Sequence, residues 1–205
     1  SFHYYLCRLQ SGGMGVFILK RSIKTKFSAI MWLSIIIFLA VVLTFPKWIS
    51  LFYPEPHRNL VFSAAYEYKV DPYLVFAIIR AESKYQNGAE SPAGARGLMQ
   101  IMPETARWIA EQQGISDFDP DSLHDPETNI RFGCWYLADL NREFDGRTPL
   151  VVAAYNAGRG KLNEWMTEEK WDGSPDSIEK IPFRETRLYV KSVLKNYEAY
   201  QAIYK

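Results

Sequence analysis

Pro72-Tyr73-Leu74-Val75-Phe76-Ala77-Ile78-Ile79-Arg80-Ala81-Glu82-Ser83 is an almost wholly apolar run that closes on a carboxylate. Asp71 just before Pro72 offers a capping side chain ahead of a proline at the first helical position, so the pattern predicts a helix over 72 to 83. Val75, Ile78 and Ile79 stand seven, four and three residues before Glu82, which puts its carboxylate on the apolar face of that helix. Desolvation there raises the pKa of an acid, and the C-terminal end of the helix dipole pushes the same way. A carboxylic acid held protonated near neutral pH is what a general acid requires, so Glu82 is the leading catalytic candidate. The competing view is a surface acid that ends a core helix and pairs with Arg80 or Lys84.

Outward from this run the chain reads as helices and loops. Asp125-Pro126 and Thr148-Pro149 repeat the capping pattern of Asp71-Pro72, and Met102-Pro103 opens a helix without a cap. Helices are predicted at about 59 to 68, 72 to 83, 103 to 113, 126 to 144, 149 to 156 and 184 to 203. Long functional loops are expected at 84 to 102 and 157 to 183. Sustained period-2 alternation is lacking, and so are internal repeats, so the fold class is mainly α.

The 205 residues are 48% hydrophobic, 15% aromatic and 23% charged, enough apolar material for one ordinary core and unlike a disordered chain. The formal net charge of +1 hides an asymmetry. Residues 1 to 56 hold six Lys/Arg and one Asp/Glu, whereas 57 to 205 hold eighteen and twenty-two. Phe27 to Phe45 carries no charge and approaches the roughly 20 residues that cross a bilayer. Lys20, Arg21, Lys24 and Lys26 precede it, so the positive-inside rule places the N-terminus in the cytoplasm and everything after Pro46 outside. A cleaved signal peptide is the alternative; in both cases the C-terminal part is exported. The expected organisation is a cytoplasmic segment at 1 to 26, a transmembrane helix at 27 to 45, a linker at 46 to 58 and a catalytic domain at 59 to 205. Since the chain opens on Ser1, translation is expected to start elsewhere, at Met14 or upstream. Cys7 and Cys134 would lie on opposite sides of the membrane, which excludes a disulfide framework and a cysteine-based metal site, and Cys134 falls on the apolar stripe Ile130, Cys134, Leu137 as a buried thiol.

Beyond Glu82 three further stretches carry chemistry. Ser91-Pro92-Ala93-Gly94-Ala95-Arg96-Gly97-Leu98-Met99-Gln100-Ile101-Met102-Pro103 has glycines that allow close backbone approach, and Gln100 offers donor and acceptor to a neutral polar ligand such as a sugar. Ala154-Tyr155-Asn156-Ala157-Gly158 ends a short helix with a ring, an amide and a terminating glycine. Ile181-Pro182-Phe183-Arg184-Glu185-Thr186-Arg187-Leu188-Tyr189-Val190 sets a second carboxylate between two arginines.

In this order, these motifs together with Glu82-Ser83 resemble those of the soluble-lytic-transglycosylase family, whose catalytic domain is lysozyme-like. The resemblance spans about residues 59 to 204. It implies that Glu82 is the acid/base, that Ser91 and Gln100 contact substrate, that Met102 walls the sugar groove, and that Tyr155 and Asn156 flank the cleaved bond. Glu185 corresponds to a second acidic position near the peptide side chains or outer wall. The implied reaction is non-hydrolytic cleavage of peptidoglycan between N-acetylmuramic acid and N-acetylglucosamine, leaving 1,6-anhydro ends. The implied partners are glycan strands and, through one helix, a bacterial cytoplasmic membrane, with the catalytic domain on the extracytoplasmic side and with no metal or cofactor.

Two other functions compete. A goose-type lysozyme of similar fold would hydrolyse the same bond with a second carboxylate, for which Glu90 and Glu104 are available, although both sit in polar surroundings. A membrane-anchored wall-binding protein would stack sugars on Trp108, Trp135, Trp165 or Trp171. Trp108 and Trp135 fit helical core positions better, while Trp165 and Trp171 are balanced between core and binding. Nucleic-acid binding is disfavoured by the negative balance of residues 57 to 205.

Overall fold

A computed structural model describes residues 27–44 and 48–205. Expectations about the basic flank, Cys7, Met14 and Phe45 fall outside them. The chain divides into two compact units with the boundary between Phe52 and Tyr53. The first holds α1 (Phe27–Thr44), long and apolar enough to cross a membrane, with its side chains exposed. Its polar groups are satisfied within the helix: Thr44 Oγ1 donates to Ala40 O at 2.6 Å. Residues 48–52 are helical too, with Trp48, Leu51 and Phe52 outward.

The second unit is helical, in the order α2 (Arg58–Tyr68), α3 (Pro72–Glu82), α4 (Pro103–Gln112), α5 (Pro126–Glu143), α6 (Thr148–Ala157), α7 (Arg159–Thr167) and α8 (Arg184–Tyr204). Two 3₁₀ helices, Pro120–His124 and Pro175–Lys180, lie between them. Among the described residues β pairing is limited to isolated bridges of Arg96 with Glu90 and Ile101 inside the 84 to 102 loop.

Helix α3 sits at the centre. Its residues Tyr73 through Ile79 are all buried, as a helix apolar on every side must be. It packs against α2 and α8, while α6 joins α8 to α5 and α7. Asp71 Oδ1 accepts the Tyr73 N–H at 2.8 Å, the predicted cap, and Asp125 caps α5 through the Thr128 N–H at 2.8 Å.

Asp71 also fastens the far end of the chain. Its Oδ2 accepts from the Tyr197 hydroxyl at 2.9 Å and from Lys205 Nζ at 3.0 Å, while the Tyr73 hydroxyl donates to Tyr204 O. Burial alone would raise the Asp71 pKa, but Lys205, the Tyr73 N–H and Tyr197 together hold it below the ordinary carboxylate value.

Two expectations need correction, and one open alternative closes. The cap at Thr148 is not formed: Thr148 is already helical, Arg147 precedes it without a side-chain cap, and the Arg147 guanidinium is turned to Asp172 O. The stretch 157 to 183 is no long loop, since it folds into α7 and a 3₁₀ helix. Its turns are fixed by Gly158 at φ 85° and by Ser174, whose side chain accepts the Asp176 N–H. Trp165 and Trp171 resolve to the core, each 1% exposed, which removes them as sugar platforms. Trp108 and Trp135 form an edge-to-face pair at 5.4 Å against the same core, and Cys134 is buried and free.

Asp71→Ala is expected to lower stability by about 1 to 2 kcal/mol, the range of a lost cap. A lowered carboxyl pKa stabilises above the unfolded value and loses that contribution as pH falls through the folded one. The deficit measured by urea unfolding should therefore shrink below about pH 4.

Candidate active site

Glu82 is the last residue of α3, where the helix emerges from the core. Ser83, the residue after it, is itself buried and turns the chain, its Oγ bonding Ile79 O and the Tyr85 N–H. Burial pushes the Glu82 carboxyl up to about 7; the Tyr189 hydroxyl beside it acts in the opposite direction, and the charge of Glu185 adds to the rise. Arg80, one candidate partner for an ordinary surface glutamate, has its guanidinium over the Tyr53 ring, 4.3 Å from the centroid.

Two aromatic hydroxyls converge on this acid. Tyr155 and Tyr189 are both within electrostatic reach of Glu82, and burial raises both phenols well above their ordinary value. The Tyr155 hydroxyl donates to Met99 O at 2.9 Å and so ties α6 to the glycine-rich loop. The Tyr189 hydroxyl is buried beside the Glu82 carboxyl, and each shifts the ionisation of the other.

Two cavities share Asn156 and Ala157, and each is lined by a residue within electrostatic reach of Glu82, Tyr155 in one and Glu185 in the other. One, of about 260 Å³, is bounded by Gln100, Met102, Thr105, Tyr136 and Tyr155. The other, of about 500 Å³, is bounded by Phe183, Arg184, Glu185 and Thr186. Gln100, Met102, Tyr155, Asn156 and Glu185 are thus brought together around the cleft. Ser91 plays a more internal part: its Oγ accepts the Ala95 N–H at 3.0 Å and closes the turn at 91 to 95. Gln100 differs from expectation as well. Its Nε2 gives both protons to the loop, at Ala89 O (3.0 Å) and Gly97 O (2.9 Å), so its side chain offers the cleft an acceptor alone.

The competing acids have other work. Glu90 is half exposed and pairs with Arg96 at 3.9 Å, and Glu104 lies in the first turn of α4, where the helix dipole favours its charge. Arg187 turns away from Glu185, to Ile181 O and Glu179. Among the described residues no group of three or more His, Cys, Asp or Glu is arranged to hold a metal.

Sequence reasoning assigned no role to Tyr189 or Tyr136. Tyr189 was legible, since it stands four residues after Glu185 on one helix face. Tyr136 was not, because nothing local in α5 announces that α4 and α6 leave its ring facing the cleft. Its ring lies 5.5 Å from that of Tyr155.

Comparison with known proteins places this geometry. Residues 59–177 match the transglycosylase SLT domain, and residues 180–205 match the soluble lytic transglycosylase helical domain. The chain belongs to the transglycosylase SLT family. The soluble lytic murein transglycosylase of Escherichia coli is 43% identical over 133 residues, covering 63% of this chain and 20% of that protein. Membrane-bound lytic murein transglycosylase C of Actinobacillus pleuropneumoniae is 35% identical over 163 residues, 69% of this chain and 44% of that one. The structure of an inactive mutant of the lytic transglycosylase Slt from Pseudomonas aeruginosa aligns with TM-score 0.69 at 36% identity, over 76% of this chain and 25% of that chain. This SLT chain therefore spans about a fifth of the length of the first curated relatives it matches. The mainly α, lysozyme-like fold expected from the sequence is the fold of this SLT protein.

The ionisation of Glu82 carries a stability signature. Its folded pKa lies above the ordinary glutamate value of 4.5, so the folded state holds the proton longer and stability declines as pH rises from about 4.5 to about 7. Glu82→Gln removes that charge, and chemical denaturation should find the variant more stable than wild type at pH 8, by up to about 3 kcal/mol, with the gain fading toward pH 4.

Proposed function

We propose that this protein is a lytic transglycosylase that cleaves the bond between N-acetylmuramic acid and N-acetylglucosamine in peptidoglycan. The observation that carries this reading is Glu82, an acid whose pKa burial raises to about 7, so that it keeps a proton into the neutral range. It lies within electrostatic reach of Tyr155 and Glu185, which line cavities bounded by Gln100, Met102 and Asn156 on one side and by Arg184 and Thr186 on the other. Relatives named as lytic murein transglycosylases support it.

In the proposed reaction Glu82 donates its proton to the glycosidic oxygen as the bond to C1 breaks. The resulting carboxylate accepts the proton of the C6 hydroxyl while that oxygen closes on C1, so one proton enters, one leaves, and a 1,6-anhydro ring forms without water. A site with one poised carboxylate suits this sequence better than the two-carboxylate arrangement of hydrolysis. Tyr155 and Asn156, with the acetamido group of the substrate, stabilise the charge that develops at the anomeric centre. Gln100 accepts from a sugar hydroxyl or amide N–H through its free carbonyl oxygen. Ser91 supports the loop, and Met102 supplies apolar wall. Glu185 meets the peptide side chains at the outer part of the cleft. No metal or organic cofactor takes part.

Helix α1 anchors the chain in a membrane, in keeping with its length and apolar composition and with a relative named as membrane-bound. The basic residues ahead of it orient the folded unit to the extracytoplasmic side of the bacterial cytoplasmic membrane. Anchored there, the enzyme trims glycan close to the membrane.

Mass spectrometry of products from purified sacculi is expected to show anhydro-terminated muropeptides; reducing ends would instead mark a hydrolase. Glu82→Gln should lower the rate by at least about 10³-fold, within the range for loss of a general acid. The wild-type rate should fall as pH rises through about 7, where the acid loses its proton.

A further inference from the structure

Asn129 is a fully buried amide on α5 that belongs to none of the motifs around the cleft. A side-chain amide in an apolar core is costly unless its groups are bonded, and here they are. Oδ1 accepts the Met99 N–H at 2.7 Å, while Nδ2 donates to Arg96 O and to Leu123 O, each at 2.8 Å. Only a carboxamide satisfies this set, because one backbone donor and two backbone acceptors face the same side chain.

The loop is shaped to receive it. At Gly97, with φ +75°, an added Cβ would stand 2.3 Å from Nδ2 of Asn129. One turn farther along α5, a Cβ on Gly133 would stand 2.2 Å from Met99 Sδ, so the fully buried Met99 side chain occupies the notch that this glycine leaves. Met99 is therefore held at its N–H by Asn129, at its carbonyl by Tyr155 and at its sulfur by Gly133. The next residue, Gln100, adopts φ 48°, a left-handed conformation that a non-glycine residue keeps only when its surroundings impose it. Gln100 and Met102 then face the cleft.

We propose that Asn129 is a positioning residue of the cleavage site: its bonds to the loop backbone on both sides of Gly97, at Arg96 O and Met99 N–H, force Gln100 into the left-handed turn and so aim Gln100 and Met102 at the substrate. The kinetic part of this proposal rests on the transglycosylase reading, whereas the structural part does not. A purely space-filling role would need volume at position 129 and no hydrogen-bond pattern. Aspartate has nearly the same shape as asparagine but presents acceptors to the two carbonyls, so it tests the pattern with the volume held constant.

The experiment uses the full chain in detergent, with Asn129→Asp and Gly133→Ala beside wild type. Hydrogen exchange read by mass spectrometry reports on residues 97–102, and muropeptide release from sacculi reports kcat and KM. In Asn129→Asp at pH 7, exchange in 97–102 is expected to rise about tenfold or more, the scale of one lost buried hydrogen bond, with α3 and α8 unchanged. The rate constant kcat should fall by a similar factor with little change in KM. Lowering the pH to 5 protonates the new carboxyl and returns one donor, so the ratio of variant to wild-type rate should climb. Gly133→Ala displaces Met99 from its notch while adding a better helix former, so it should lose kcat with the melting temperature within a few degrees of wild type.

Unchanged exchange in 97–102, or exchange that rises equally over the whole unit, overturns the proposal. If Asn129→Asp does not fold, Gly133→Ala decides: unaltered exchange and kcat there also overturn it. Absence of muropeptide release by wild type would defeat the transglycosylase reading, while the exchange result would still decide whether Asn129 holds the loop.

Discussion

A helix that is apolar on every side can exist only where other elements surround it, and that constraint organises this protein. Helix α3 is enclosed by α2 and α8, and the enclosure ends at Glu82. The carboxyl group thus stands at the limit of the core, too buried to ionise freely. Its raised pKa follows from placement: the same packing that makes α3 stable makes the acid reluctant to lose its proton.

The elements around α3 are then fixed with respect to that acid. Asp71 ties the start of α3 to the end of α8, so the helix that bears Glu185 and Tyr189 is held to the helix that bears Glu82. Behind the opposite wall, Arg159 joins α7 to α4 and α5. Its guanidinium lies 4.9 Å from the Trp108 ring centre, and pairs with Asp139 at 2.5 Å and Glu143 at 2.9 Å. It also reaches over Tyr136, whose ring meets Tyr155. Partly buried cations with two carboxylates and two aromatic rings are well compensated, and this one steadies the wall without entering the cleft.

What could be read from the sequence was whatever has a local cause. Proline after aspartate marked two helix starts because capping is decided within four residues. The apolar neighbours of Glu82 foretold its desolvation because helical spacing alone brings them together. The pattern failed where tertiary context decides. Thr148 looked like a cap, yet the helix begins one residue earlier. Residues 157 to 183 looked like a polar loop, yet Leu162, Trp165 and Trp171 fold it onto the core. The amide of Gln100 looked free to donate, but a left-handed turn directs both its protons to the loop's own carbonyls. Asn129 was silent for the same reason, since the two loop atoms it holds, at Met99 and Arg96, are thirty and more residues away.

The seam between Tyr53 and the last turn of α8 bears on how such a module is distributed. Tyr204 bonds Tyr53 O and Tyr200 bonds Pro54 O, both at 2.7 Å, so the start of the folded unit lies against the last turns of α8. Segments pinned together in this way can be joined to flanking sequence on either side without pulling the core apart. That geometry suits a cassette which occupies a fifth of some relatives and nearly half of others.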